Sequence, residues 1–317
     1  MSDWREMTPG NFVSLQRGHD LTEGERKPGH IPVMGSAGMN GYHDTAMAKG
    51  PGVVVGRSGA SFGQVHSCPV DCWPHNTALY VTHFRGNDTR FTYYFLKSLD
   101  FSHYNSSSAQ PSLNRNYIYP IRVRVPEPKE QRAIAAVLGA LDDKIELNRR
   151  MNETLAALAQ SLFKSWFVDA TQAGLPEGWR EVRLAECCEN IFSGGTPSTQ
   201  SPEFWDSYIN QSVVALVADQ TVSSDIFLFF GLERRYEEFR RVSDSHSSRG
   251  SLTAKLLGDL KVILPTHDLI SKFDETVGPL ANRITANLQE SRTLAALRDA
   301  LLPKLLSGEL RMPGKTV

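Results

Sequence analysis

The sequence predicts an α+β protein in which one arrangement, a small mixed domain followed by a long helix, occurs twice. Three observations carry this. An apolar seam runs Ile134, Leu138, Leu141, Ile145, Asn148, Met151, Leu155, Leu158, Leu162, Trp166, a mean step of about 3.56 residues, which matches the period of packed helices. Adding 139 to each position returns Phe273, Val277, Leu280, Ile284, Asn287, Glu290, Leu294, Leu297, Leu301 and Leu305, the same seam with one exception at Glu290. Between Pro126 and Trp166 that offset gives 11 identities in 41 positions, so the helix is a duplicated element. Ahead of it lie short β-type runs punctuated by Gly, Pro and Asn.

In residues 1–126 those runs are Ile31–Val33, Gly52–Val55, Ala78–Val81 and Ile121–Val125, with one helical segment at about Arg90–Leu99. The pattern predicts a curved sheet. The loops Gly35–Tyr42, Gly56–Gly63 and Ser106–Asn116 are rich in Gly, Ser, Asn and Arg, which puts backbone N–H groups and short polar side chains at a surface. The first long helix and its linker fill residues 127–174, reading as one helix from Pro126 to about Asp169. Burying each apolar seam residue contributes roughly 1.5 to 3 kcal/mol, so pairing the two helices hides both seams. Asn148 and Asn287 hold the same seam position, where a polar side chain fixes register or else lies exposed at the seam edge.

A second, shorter domain spans 175–265. Gly178-Trp179-Arg180-Glu181 echoes Asp3-Trp4-Arg5-Glu6 at an offset of 175, and Leu252–Pro265 aligns with Leu113–Pro126 at 139, so this copy is 36 residues shorter. The loss falls between Trp205 and Val213, where nothing resembles Gly56–Gly63. The second helix and the tail occupy 266–317, with Pro303 expected to kink or end the helix nearby.

Composition narrows the class. No run approaches a membrane span and Met1-Ser2-Asp3-Trp4 starts no signal peptide, so a cytoplasmic protein with no membrane partner is expected. The formal charge of −1 provides no global field for nucleic acid, but residues 1–126 hold 12 Lys/Arg against 9 Asp/Glu, compatible with a local phosphate-contacting face. A phosphate-binding loop, a His-Glu-x-x-His, a Gly-x-Ser-x-Gly elbow and an Asn-Pro-Pro-aromatic methyltransferase signature are all lacking, which argues against catalysis by this chain. His66, Cys68, Cys72 and His75 lie within ten residues, but tetrahedral zinc sites draw their ligand pairs from separated elements. A β-hairpin with two core cysteines is the expectation, and no metal is assigned.

Arg17, Asn40, Arg57, Asn76, Asn114, Arg115 and Asn116 are the residue types that read bases, Arg to guanine and Asn to adenine. Ser36, Tyr42, Ser58 and Ser61 accompany them in the same loops, and Thr196 and Ser198 are their candidates in the second domain. The same residue types also serve turn geometry.

The stretch LNRNYIYPIRVRVPEPKEQRAIAAVLGALDDKIELNRRMNETLAALAQSLFKSWFVD, from Leu113 to Asp169, closely resembles the specificity subunit of type I restriction-modification systems, as do Gly50–Val65, Trp73–Val81 and Gly194–Trp205. The resemblance covers essentially the whole chain. It implies two target-recognition domains joined by two long antiparallel helices, a coiled-coil spacer with near twofold internal symmetry. It also implies a non-enzymatic DNA-binding role, guiding two modification subunits and, in the full assembly, ATP-dependent restriction subunits to a bipartite double-stranded target. S-adenosylmethionine, ATP and Mg would then bind the partners, with no cofactor in this chain. A helix of about 40 residues is roughly 60 Å long, enough to act as a ruler across a DNA turn of about 34 Å. The outward faces of the helices, including Trp166 and Phe167 if they are not wholly buried in the pair, are expected to dock the modification subunits. The shortened second domain is expected to read fewer bases, or none, or to rebuild its surface from Ser193–Asn210. A coiled-coil scaffold whose globular ends bind protein is the alternative.

Overall fold

The computed structural model describes residues 4–104, 112–194, 213–246 and 252–311, and the chain divides into two compact units, residues 1–146 with 291–317, and residues 147–290. The division passes through both long helices.

The first unit contains β1 (Arg5–Met7), α1 (Pro9–Phe12), β2 (Ser14–Arg17), β3 (Ile31–Gly35), β4 (Gly38–His43), β5 (Gly52–Gly56), β6 (Val65–Cys68), β7 (Trp73–Pro74), β8 (Ala78–His83), α2 (Thr89–Ser98), α3 (Arg115–Ile118) and β9 (Val123–Val125), followed by the start of α4 (Pro128–Phe163). An antiparallel sheet runs β2-β8-β5-β6, a second runs β4-β3-β7, and β1 pairs with β9. The valine run makes β5 the covered middle of the first sheet. Side chains alternate across a strand, so Val53 and Val55 enter the main core with Phe91 and Phe95 of α2, while Val54 faces Met34, Ala78 and Tyr80 on the other side. Helix α2 begins where Asp88 Oδ1 accepts from the Phe91 N–H at 2.8 Å, and its Phe91, Tyr94 and Phe95 are buried.

The expected cysteine hairpin does not form. Cys68 closes β6 and both thiols are buried, but the chain then leaves the sheet: Cys72 pairs with Ala48, and Trp73 pairs in parallel with Val33. His66 bonds the Ser36 carbonyl and His75 bonds Thr77 and the Leu21 carbonyl. Among the described residues no group of three or more His, Cys, Asp or Glu could hold a metal ion.

The second unit takes α4 on through a π-helical turn at Lys164–Val168, and adds β10 (Arg180–Arg183), β11 (Cys188–Ser193), β12 (Val214–Ala218), α5 (Asp225–Glu233), α6 (Tyr236–His246), α7 (Ala254–Gly258), β13 (Lys261–Leu264) and most of α8 (His267–Ser307). The duplication extends to strand register. Arg180↔Leu264 repeats Arg5↔Val125, and Phe192↔Ala215 with Ile191↔Leu216 repeats Arg17↔Leu79 with Gln16↔Tyr80. The described residues of this unit hold two two-stranded sheets, against four- and three-stranded sheets in the first. Its core compensates with aromatic side chains: Phe167 stands 5.0 Å from Phe163, from Phe227 and from Phe273, ring centre to ring centre. Phe167 is therefore buried, which takes it off the outward docking face, while Trp166 packs against the same core and stays half-buried.

Within this unit the helices run antiparallel. Asn148 donates to the Asn287 carbonyl (3.4 Å) and to Glu290 (2.8 Å), and Asn287 donates to Asn152 at 2.8 Å. Both seam asparagines are buried, which favours their role in fixing register over exposure at the seam edge. Glu290, the break in the repeated seam, is the partner that Asn148 requires.

The other seam positions, Ile134, Leu138, Leu141, Ile145, Leu155, Leu162, Phe273, Val277, Leu280, Ile284, Leu294 and Leu301, are buried or half-buried. Leu158 and Leu297 are not, at 48% and 47% exposed. A seam of near-heptad spacing drifts around a straight helix by about 20° per heptad, and one residue on, Ala159 is fully buried while Arg298 reaches Asp142 at 2.6 Å. Pro303 does not end α8 either. The helix continues to Ser307 and closes with Gly308 at φ 75°, where Leu310 N–H bonds the Lys304 carbonyl at 2.9 Å.

Candidate nucleic-acid interface

At one end of β2 in the first unit lies an open polar cleft of about 680 Å³, lined by Gln16, Arg17, His19, Asp20, Arg57 and the segment Ser112–Arg115. Local chain geometry assembles it. Gly18 passes so close to the Pro74–His75 backbone that a Cβ would stand 2.2 Å from the His75 carbonyl oxygen, and His19 N–H bonds the Pro74 carbonyl at 2.8 Å. Arg57 leaves β5 between two strangers in sequence, its N–H on the Thr77 carbonyl (2.9 Å) and its own carbonyl accepting from Leu113 N–H (2.7 Å). The loop after it returns through Gly59 and Gly63, both at positive φ, which only glycine adopts readily.

Five of the sequence candidates meet here. Arg17, Arg57, Asn114 and Arg115 line the cleft, and Asn76 joins through its carbonyl, which accepts from Arg57 Nη1 at 3.4 Å. Their availability differs. Asn114 caps α3 by accepting from Asn116 N–H (3.0 Å), and Arg115 donates to the Leu15 carbonyl (2.8 Å), so these two and Asn116 partly build the cleft wall. Arg17 is more than half exposed. Ser36 and Ser58 brace each other, Ser36 Oγ donating to the Ser58 carbonyl at 2.7 Å, and Ser61 lies in the turn beside them. Asn40 accepts from Arg26 on the β3–β4 hairpin, and Tyr42 is exposed on β4, outside the cleft lining. Thr196 and Ser198 lie outside the described residues.

Asp20 and Gln16 were missed by sequence reasoning. The polar run Gln16-Arg17-Gly18-His19-Asp20 at the end of β2 was the available signal, since a strand that stops being apolar on both faces is leaving the core. In the second unit the strand position of Arg17 is taken by Phe192, and α7, the counterpart of α3, carries Ala254 and Lys255 in place of Arg115 and Asn116.

Residues 1–157 match the family described as the type I restriction modification DNA specificity domain. Among curated proteins, the specificity subunit of the type I restriction enzyme MjaIX of Methanocaldococcus jannaschii is 25% identical over 301 residues, covering 71% of this chain and 69% of the relative. The HindI specificity subunit of Haemophilus influenzae is 20% identical over 333 residues, covering 64% of this chain and 72% of its own. The crystal structure of the type I restriction-modification S subunit from M. genitalium shares the fold, with a TM-score of 0.65 at 17% identity over 96% of each chain. With the polar cleft lying inside the matched residues, residues 1–157 belong to the DNA specificity domain of type I restriction-modification systems, and the chain as a whole is similar to specificity subunits, the DNA-recognition components that are not themselves enzymes.

Proposed function

We propose that this subunit reads a bipartite double-stranded target, one half-site per globular domain, with an unspecified spacer set by the paired long helices. The observation that carries the reading is the cleft of the first unit, where Arg17, Arg57 and Arg115 converge with Asn76 and Asn114 on one polar surface. Arginine reads guanine by bidentate donation and asparagine reads adenine, while neighbouring N–H groups meet phosphate. The second domain contacts fewer bases, because Phe192 and Ala254 stand at the positions of Arg17 and Arg115.

Two modification (methyltransferase) subunits dock on the long helices, and restriction subunits join them. The exposed Leu158 and Leu297 support this, since they occupy equivalent places in the two copies, each beside an exposed threonine and alanine, Thr154 and Ala157 or Thr293 and Ala296. S-adenosylmethionine then belongs to the modification subunits, and ATP with Mg to the restriction subunits. The setting proposed is the cytoplasm; among the described residues no helix is long and apolar enough to cross a membrane.

The test is the salt dependence of duplex binding by the complex of this chain with its modification subunits. Each neutralised phosphate contributes a slope of about −0.9 in log K against log salt, so several contacts predict a slope of about −4 or steeper. A slope near zero would leave a scaffold whose ends bind protein.

A further inference from the structure

One acidic side chain lines the cleft among its three arginines. Asp20 is the wrong sign for a surface that meets phosphate, and it is well exposed, with 73% of its side chain accessible. It is also firmly placed. Gly18 N–H bonds the Ala78 carbonyl at 2.9 Å, His19 N–H bonds the Pro74 carbonyl, and His75 Nε2 bonds the Leu21 carbonyl at 3.2 Å, so the backbone on both sides of Asp20 is tied to the turn before β8. From there Asp20 Oδ1 accepts from Arg17 Nη2 at 3.2 Å and from the side-chain amide of Asn76.

An ionised carboxylate can only accept hydrogen bonds, so it dictates how its partners lie. Asn76 must turn its NH₂ toward Asp20, which leaves its side-chain oxygen as the outward group, an acceptor suited to the exocyclic amine of adenine or cytosine. Arg17 is held partly neutralised rather than released to the nearest phosphate.

We propose that Asp20 is a positioning residue that sets base discrimination in the first recognition domain by orienting Asn76 and restraining Arg17; this rests on the reading of the cleft as the DNA face. Its removal has two effects of opposite sign. Sequence-independent binding rises, because a repelling charge is lost and Arg17 is freed, while discrimination between target and non-target falls.

The experiment uses the complex with modification subunits, carrying Asp20→Ala, Asp20→Asn or Arg57→Ala, and measures affinity for a non-target duplex across salt together with the spectrum of methylated sites. Asp20→Ala is expected to bind non-target duplex about 3- to 10-fold more tightly at low salt, with a salt slope steeper by about 1, and to lose about 10-fold in target preference. Asp20→Asn, which keeps an acceptor for Arg17 and Asn76 but no charge, should share the steeper slope and retain most of the site choice. If Arg57→Ala weakens DNA binding while Asp20→Ala leaves slope and site spectrum at wild type, or weakens non-target binding, the role given to Asp20 is overturned and the DNA face stands. If neither Arg57→Ala nor Asp20→Ala changes any DNA readout, the reading of the cleft fails and this inference falls with it.

Discussion

At the scale of single residues, the chain places several polar groups where their neighbours decide their behaviour. In the second unit Ser224 caps α5, its Oγ accepting from Phe227 N–H at 3.0 Å and donating to Asp274 at 2.8 Å. Burial pushes the Asp274 carboxyl above its ordinary value of 3.8, and the nearby Asp225 adds to this, outweighing the Ser224 hydrogen bond. A raised acid favours the folded state while it is neutral. Its contribution is complete below pH 3.8, the ordinary value, and is lost as pH rises through the folded-state pKa. Asp274→Asn keeps an acceptor for Ser224 and never ionises, so its melting temperature should exceed wild type at pH 7 and converge on it below pH 3.8. Thermal unfolding across that range checks this, and an equal gap at both ends would contradict it. The residue types of the cleft were legible in the sequence but their wiring was not: Arg17, Arg57 and Asn76 stood out as candidates for base reading, whereas Asp20, an acid 56 positions before Asn76, acquires its place only when Gly18 brings β2 against the turn before β8.

At the scale of elements, helical period exposed both long helices and most of their seam. It could not say which apolar residues face the other helix and which stay exposed, because both obey the same spacing. Leu158 and Leu297 fell into that gap. Since both are about half exposed, aspartate at these positions should leave the fold nearly untouched, within about 0.5 kcal/mol of wild type. Association with the modification subunits should suffer instead: Leu158→Asp with Leu297→Asp is expected to weaken it by about tenfold or more, as for truncated interface anchors. Sedimentation of mixed subunits alongside denaturant unfolding separates the two effects. Unimpaired assembly would remove these leucines from the docking surface, and collapse of the variant on its own would return them to the interior. Strands were legible where they are buried on both faces, as in the valine run of β5, and illegible where pairing is set at a distance, as at Trp73, which joins Val33 in parallel instead of completing a hairpin.

At the scale of the whole molecule, duplication is the organising fact, and it was visible in the sequence because repeats preserve side-chain identity at positions that must pack or hydrogen-bond. The conserved offset reaches the strand register, where Arg180↔Leu264 repeats Arg5↔Val125. The duplication is incomplete: among the described residues the second copy retains counterparts of β1, β2, β8 and β9 and the capped helices, with Phe192 and Ala254 at the positions of Arg17 and Arg115. On the proposed reading, one scaffold then presents two unequal readers. The most direct test is to map methylated adenines in DNA modified by the complex of this chain with its modification subunits. The account predicts a target in two blocks separated by a gap of fixed length and free sequence, with more specified positions in one block than in the other; a single uninterrupted motif, or methylation without a shared sequence, would contradict it.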